Sequence, residues 1–588
     1  MEKPELKKLI DTAAGRRKAD LIIRNGILAD VYGGRFVRGD LVLCEGRIAA
    51  LVTEHSQDPP YEGEEIVDAG GACVLPGFIE SHIHIESAMV SPAELGRLLV
   101  PHGTTTIVAD PHEIVNVAGL PGFYAMVELG KEALLDIKYM IPSCVPSTAF
   151  EYSGAVLDAA ALEPVMEDEN VFGMGEFMDY PAVIKAEDGA LAKILLAKNA
   201  GKLIDGHSPK VRGKDLNAYI AAGIHTDHEC AAVEEMEERI SRGMYVMLRQ
   251  GSACRDLRKL LKGLSAENSR RCVLCSDDRQ PRTILEEGHL DGLLRICIEE
   301  GIDPMSALRM ATLNAAECFR LEDRGALAPG LRADIVLVED LKSFKVKRVY
   351  IEGKPAAEGG RLSGTGKTGA SPENFKILRN SFHVRDFSEE KLVLTLKSDS
   401  VYVIDVKEGS VVTGKGTASV KRNSAGSFVY SPGEDISKIA VIERHHDTGR
   451  VGLGLFRGYG IRAGAVAVSV SHDSHNIITV GVNDGDMALA VKRLIETEGG
   501  IALVKDGKVL EDMPLPLGGL MSDRTGEWVD RRLEKIHECA WNILGVKRGL
   551  EPVMSLAFMS LVVIPELKVS CDGLFDVGKF GFIEPEVP

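Results

Sequence analysis

VLPGFIESHIHIESAMV, Val74 to Val90, runs as an apolar strand until two histidines arrive two residues apart, with a glutamate two residues further on. Residues i and i+2 of a strand project from the same face, so His82 and His84 converge on one point. A metal ion is what two converging imidazoles hold. Taken alone, a His-x-His pair is more often a satisfied pair of core or surface histidines. The pattern around it decides between the two readings.

Apolar, β-rich runs recur at Val74–Glu80, Thr104–Asp110, Lys138–Pro146, Val171–Phe177, Lys202–Ser208, Gly223–Glu229, Met244–Gly251 and Arg271–Asp278. Most are followed by a helix-like segment such as SPAELGRLLVPHG or CAAVEEMEERISRG. Strands alternating with helices imply a parallel sheet, and about eight such units imply a closed (β/α)8 barrel with its active site at the C-terminal strand ends. The residues able to bind metal fall at those ends. His82 and His84 end the first run, Glu176 the fourth, His207 the fifth, His228 the sixth and Asp277 the eighth, while Asp110, His112 and Glu113 end the second as DPHE.

With these ligands on one rim, the metal reading of His82 and His84 outweighs the bland one. Glu176 adds to it, because a carboxylate set between a glycine and a phenylalanine at a strand end costs free energy unless a cation compensates it. Imidazoles and carboxylates without a thiolate suit zinc, iron or manganese. A glutamate flanked by two histidines on each side suggests a binuclear site, which lowers the pKa of bound water to about 7 and supplies a hydroxide nucleophile. Asp277 is then the general base and acid that carries the proton to the substrate. His112 and Glu113 are candidates for catalysis, substrate contact or a third cation. Glu86 is aimed at the substrate or caps the turn that follows the strand, and His102 and His225 are bystanders.

The flanks differ from the middle. Asp20 to Ile66 is short-stranded and β-like, and the same character returns after Arg324, so residues 1–73 and 324–358 are expected to build one small composite β-sandwich domain around a barrel at 74–323. Residues 359–374, rich in Gly, Ser and Thr, are expected to be a linker. Gly366-Lys367-Thr368 within it lacks the glycine and the strand that a phosphate loop needs. Residues 375–588 are expected to form an α+β domain. There, VSVSHDSHNIITVG places His472, Asp473, His475 and Asn476 in a turn between apolar runs. The turn is either a bland polar loop or a cover for the barrel mouth that contacts substrate. MPLPLGGLMS, from Met513, is expected to be a lid or a subunit contact. Cys272 and Cys275 spell C-x-x-C inside an apolar strand and are expected to be packing residues facing different ways.

Composition narrows the partners. The 588 residues carry a net charge of -18, with 45% hydrophobic residues and 11 cysteines, and the pI is near 5.4. Such a balance disfavours a sequence-independent grip on nucleic acid or anionic membrane and suits a small, uncharged or weakly basic substrate. The opening MEKPELKKLIDTAAG has no apolar signal-peptide core, and no run of about 18 apolar residues appears. A cytoplasmic protein with reduced thiols is expected, plausible as a homo-oligomer.

PGFIESHIHIES, Glu176, DGHS, TDHE and CSDD together resemble the amidohydrolase superfamily. DPHE, PSCVPS, ATLNAA, VSHDSHN and LPLGGLMSD extend the resemblance over nearly the whole chain to the bacterial and archaeal adenine deaminases. The resemblance implies hydrolysis of adenine to hypoxanthine and ammonia at a binuclear divalent metal centre, with Mn2+ first and Fe2+ or Zn2+ as alternatives. It implies that His82, His84 and Asp277 hold one ion and His207 and His228 the other, with Glu176 bridging. Glu86, Asp110, His112, Glu113, His472, Asp473 and His475 are then the candidate substrate contacts. The small zinc nucleobase deaminases are excluded, since His84-Ile85-Glu86 has no P-C-x-x-C partner. A hydrolase of cyclic amides or N-acyl groups is the nearest alternative, and a metal-binding scaffold that has lost catalysis a remote one.

Overall fold

The computed structural model describes residues 1–54, 56, 59–363, 376–408 and 410–588. Eight strands form the central barrel: β1 (Phe78–His84), β2 (Thr104–Ala109), β3 (Asp136–Ile141), β4 (Gly173–Phe177), β5 (Leu203–Gly206), β6 (Thr226–Asp227), β7 (Tyr245–Arg249) and β8 (Cys272–Cys275). Two parallel runs, β5-β4-β3-β2-β1 and β6-β7-β8, make up the wall. The gap between β5 and β6 is bridged where His225 N donates to Ile204 O at 3.0 Å. On the other side Asp277 and Asp278, just past β8, pair with Ile83 and His84 of β1 and close the ring. Every residue of β1, β2, β4, β7 and β8 is buried, as in parallel strands covered on both faces. The fold is the expected α/β barrel.

The first apolar run proves to be two strands. Cys73–Pro76 pairs antiparallel with Ile335–Val338 in the small domain, and only Phe78–His84 belongs to the barrel. The break is at Gly77, whose N donates to Asp334 O at 2.8 Å. A Cβ there would lie 2.2 Å from Thr105 Oγ1, so the chain passes too close to β2 for any side chain. Apolar periodicity alone does not register such a step from one sheet to another.

One nine-stranded sheet holds strands from both ends of the barrel segment, from Ala19–Asp30, Arg35–Cys44, Arg47–Thr53 and Gly63–Asp68 to Ile335–Val338, Val346–Ile351, Lys354–Glu358 and Arg361–Leu362. It curls so that Leu21, Leu41 and Ile48 share a core with Ile335, Leu337 and Tyr350. The two layers of the sandwich are thus one folded-over sheet. Of the expected linker, Arg361–Leu362 is still a strand of this sheet; the rest, from 364, including Gly366-Lys367-Thr368, lies outside the described residues.

The C-terminal domain is built on an eight-stranded sheet in the order Gly414–Ser419, Ser400–Asp405, Val451–Arg457, Ile436–Ile442, Ile477–Gly481, Ala465–Val468, Gly500–Lys505 and Lys508–Pro514. Helix Asp484–Glu496 covers one face, burying Met487, Val491 and Leu494. The Met513 stretch is neither lid nor subunit contact. Leu515, Leu517, Leu520 and Met521 are all 0% exposed, and the segment is bonded across the seam where Ser522 N donates to Met89 O at 2.8 Å. An apolar run broken by Pro and Gly can cap a buried seam as well as a mobile edge, and here it fastens the domain to the barrel. Among the described residues, no helix is long and apolar enough to cross a membrane.

Candidate metal centre

The strand register delivers what the His-x-His spacing promised. His82 Nδ1 donates to Asp205 Oδ2 at 2.7 Å and His84 Nδ1 donates to the Asp110 carbonyl at 2.9 Å. Each bond turns Nε2 into the site, where it can carry a proton or give its lone pair to a metal ion. The two Nε2 atoms stand 3.1 Å apart. Two ring nitrogens that close, facing several acids, need a cation among them, a proton or a metal ion, and nitrogen and oxygen donors converging in this way fit a divalent metal.

The acids are in place. Asp277 Oδ1 lies 3.1 Å from His84 Nε2 and 3.9 Å from His82 Nε2. Glu176 turns Oε1 toward His84 Nε2 at 3.4 Å and Oε2 toward His207 Nδ1 at 2.7 Å and His228 Nε2 at 3.2 Å. Sets of three ligand atoms from these six residues lie within 4.8 Å of one another. Burial alone would raise the carboxyls of Glu176 and Asp277. The histidines reverse it, chiefly His207 for Glu176 and His84, with Arg249, for Asp277, and both stay well below the usual carboxylate range. Both acids are therefore charged, and without an ion the balancing charge sits on the histidines, His207 lifted to about 10 and His228 to about 9, against the effect of burial, by the carboxylates around them; a divalent ion would take the place of those protons.

A buried support holds the ligands. Asp110 Oδ2 accepts from Glu176 N at 2.8 Å, and a side chain at Gly175 would collide with that carboxylate, its Cβ 2.1 Å from Oδ2. Asp110 is thereby placed beneath Glu176 rather than at a substrate. Burial, with Glu176 beside it, pushes its carboxyl up to about 7. Glu80 Oε1 accepts from His82 N and Ser276 N, each at 3.0 Å, tying β1 to the end of β8. Arg249 Nη1 donates to Asp277 Oδ2 at 2.8 Å and also holds Glu229.

Asp205, Arg249, Glu229 and Glu80 escaped the sequence reading. Asp205, Glu80 and Glu229 each stand within two residues of a candidate ligand in these strand-end motifs; Arg249 carried no such signal. Buried and bonded to His82, Asp205 also accepts from Thr226 Oγ1. Removing the charge that backs a metal-binding imidazole costs about 10–100-fold in metal affinity. Asp205→Asn is expected to lose that much in titrations against a competing chelator; wild-type affinity would remove Asp205 from the support.

Helix His112–Gly130 follows β2 and starts in the mouth. His112 Nδ1 is 3.5 Å from Glu176 Oε1. Burial, with His84 nearby, holds its pKa down at about 3, so the ring is neutral. Glu86 is not in the mouth. Its Oε1 accepts from Ile114 N at 3.1 Å, capping that helix from behind, and burial, with Glu113 close, pushes its carboxyl up to about 8. His102 and His225 lie apart, the first on Asp291 and the second against the Tyr245 ring.

The turn of the C-terminal domain meets this helix start. His472 Nδ1 lies 3.1 Å from Glu113 Oε1, and Asp473 Oδ1 lies 3.9 Å from His112 Nε2. Burial would lower His472, but Glu113 outweighs it and lifts the pKa to about 9. Asn476 Nδ2 donates across the seam to Tyr152 O at 2.8 Å. Glu113, His472 and His475 are close enough to hold a cation, yet His475 cannot be a ligand in this arrangement. Its Nδ1 accepts from Ser471 N at 3.1 Å, so the neutral ring carries its proton on Nε2 and has no lone pair left. The cluster is a charged pair, Glu113 and His472, with a neutral donor beside it.

Residues 73–356 match the amidohydrolase family, and residues 410–581 match the adenine deaminase C-terminal domain. An adenine deaminase 2 of Desulfotalea psychrophila is 54% identical over 586 residues, covering 100% of both chains. An adenine deaminase of Ligilactobacillus salivarius is 49% identical over 587 residues, again covering 100% of both. Among solved structures, a D-hydantoinase superposes with a TM-score of 0.44 at 15% identity, covering 59% of this chain and 97% of its own.

Proposed function

The chain belongs to the adenine deaminase family within the amidohydrolases, and from that premise we propose that it hydrolyses adenine to hypoxanthine and ammonia. One observation carries the reading: the domain that matches the adenine deaminase C-terminal domain puts His472 into the barrel mouth, against Glu113 in the first turn of the helix that follows β2. A hydrolase of cyclic amides or N-acyl groups could share the barrel and its donors, but nothing in that chemistry calls for this second domain.

His82, His84 and Asp277 are the proposed holders of one divalent ion, His207 and His228 of a second, with Glu176 between them. Mn2+ is preferred, and Fe2+ or Zn2+ suits the same nitrogen and oxygen donors. When bound, such ions polarise the reacting centre and bring the pKa of a water molecule to about 7. Asp277, with one oxygen toward the histidines and the other on Arg249, is set to take the proton of the attacking water. It returns that proton to the departing amino nitrogen, so that water adds at C6 and ammonia leaves with the balance kept. His112, neutral and buried, offers the ring a hydrogen bond without a competing charge, and the Glu113–His472 pair fixes the mouth's polarity. A reducing, cytoplasmic setting suits the eleven cysteines, all free thiols.

Ammonia release from adenine, measured with manganese supplied and iron kept low, is the test. Adenosine, cytosine and dihydroorotate run alongside. Turnover of adenine alone, lost on chelation, is the expected result. Turnover of dihydroorotate instead would move the chain to the cyclic amide hydrolases.

A further inference from the structure

A cavity of about 660 Å³ lies between the barrel and the C-terminal domain. Ser87 and Asp278 line its wall on the side nearest the candidate metal centre. The Asp278 carboxylate lies within 4.8 Å of candidate ligand atoms of His84 and Asp277, and Ser87 Oγ donates to Asp278 and lies 3.4 Å from Glu113 Oε1. Ser252, in the loop after β7, lines the wall as well, and the C-terminal domain contributes Met554, Phe558 and Met559.

Among the described residues lining the cavity, Phe558 is the one aromatic. It stacks on His472, ring centroids 4.5 Å apart and planes at 15°, so the same ring touches the cavity and the residue that grips Glu113. Its backbone is anchored: Lys568 Nζ donates to Phe558 O at 3.0 Å, and His472 N donates to Ala557 O at 2.8 Å. A purine is flat, with an apolar face and a polar edge, and bases are held by stacking on rings that are fixed beforehand.

We propose that this cavity is the passage by which the base reaches the metal centre, and that Phe558 is a substrate-contacting residue that sets the purine face beside His472. This rests on the adenine reading above. Phe558→Leu is expected to raise KM for adenine about 10–100-fold, the usual loss for a removed stacking ring, with metal content unchanged. Phe558→Tyr, which keeps the ring, is expected to restore KM to near the wild-type value. Met554→Trp, which narrows the wall away from the ligands, is expected to lower kcat/KM at least about tenfold. A fall in kcat at constant KM in Phe558→Leu would mean that the ring only positions His472 and would overturn the contact. Wild-type kinetics in Met554→Trp would overturn the passage. Wild-type protein without adenine turnover would overturn the function itself, an outcome distinct from active wild type with indifferent variants.

Discussion

Asp277→Asn is expected to lose about 10²–10⁴ in kcat for adenine, the range for removing a positioned general base, while metal per chain stays near the wild-type value. The argument is geometric. Asp277 stands at a positive φ of 59° just past β8, which throws its carboxylate across the mouth between two partners. Oδ1 lies 3.1 Å from His84 Nε2, and Oδ2 accepts from Arg249 at 2.8 Å. Asparagine has the same shape but cannot take a proton at neutral pH, and one of its two ends must now be an NH2 group. Turned to Arg249, that group meets another donor; turned to the histidines, it spends a lone pair meant for the cation. The five other proposed donors, Glu176 among them, are untouched, and the amide oxygen can still face the histidines, so metal binding should survive where proton transfer does not. Metal analysis on the same sample as the kinetics checks both halves. Turnover within about threefold of wild type would take Asp277 out of the chemistry, because such a base contributes at least about 10²-fold.

The barrel was legible because its signals are local and repeated. Eight apolar runs at steady spacing imply parallel strands, and polar residues at their ends imply a site, without any knowledge of distant contacts. The outcome at Val74 shows where that stops: a run that looks continuous is divided at Gly77 between two sheets, because Thr105 on β2 leaves no room for a side chain there. The residues proposed to hold metal were legible for the same reason as the strands, each standing at a strand end. Their supports were not. Arg249, Glu80 and Glu229 act through contacts between strands distant in sequence, as when Glu80 joins β1 to Ser276 beyond β8. Single-sequence patterns carry no trace of such pairings.

The C-terminal domain shows the opposite limit. Its turn was visible as an accumulation of histidines and acids, but its partners, Glu113 and His112, lie on the other side of a domain seam. Spacing could suggest that the turn covers the mouth; it could not say which nitrogen faces which carboxylate. That detail separates a third cation site from a charged pair with a neutral donor, and it depends on one backbone hydrogen bond, Ser471 N to His475 Nδ1.

Glu176→Gln is expected to fail in a different way from Asp277→Asn, by losing the metal before the chemistry. Both oxygens of Glu176 are used: Oε1 toward His84 and His112, Oε2 toward His207 and His228, at 2.7–3.5 Å. Among the described residues, Glu176 is the one acid with oxygens within 4.0 Å of histidines in both halves of the cluster. Glutamine keeps the outline but removes the charge and puts N–H groups where a lone pair stood. Taking one partner from a buried charged set costs about 3–5 kcal/mol, or about 10²–10⁴ in affinity for the cations. Metal per chain after gel filtration should fall well below that of wild type, and activity should fall with it. Excess manganese should recover part of both, which it cannot do for Asp277→Asn. Glu176→Asp should not rescue, since the shorter arm reaches one pair of histidines but not both. Full metal content and wild-type turnover in Glu176→Gln would show that the two halves do not share this carboxylate, and the cluster would have to be divided between independent sites.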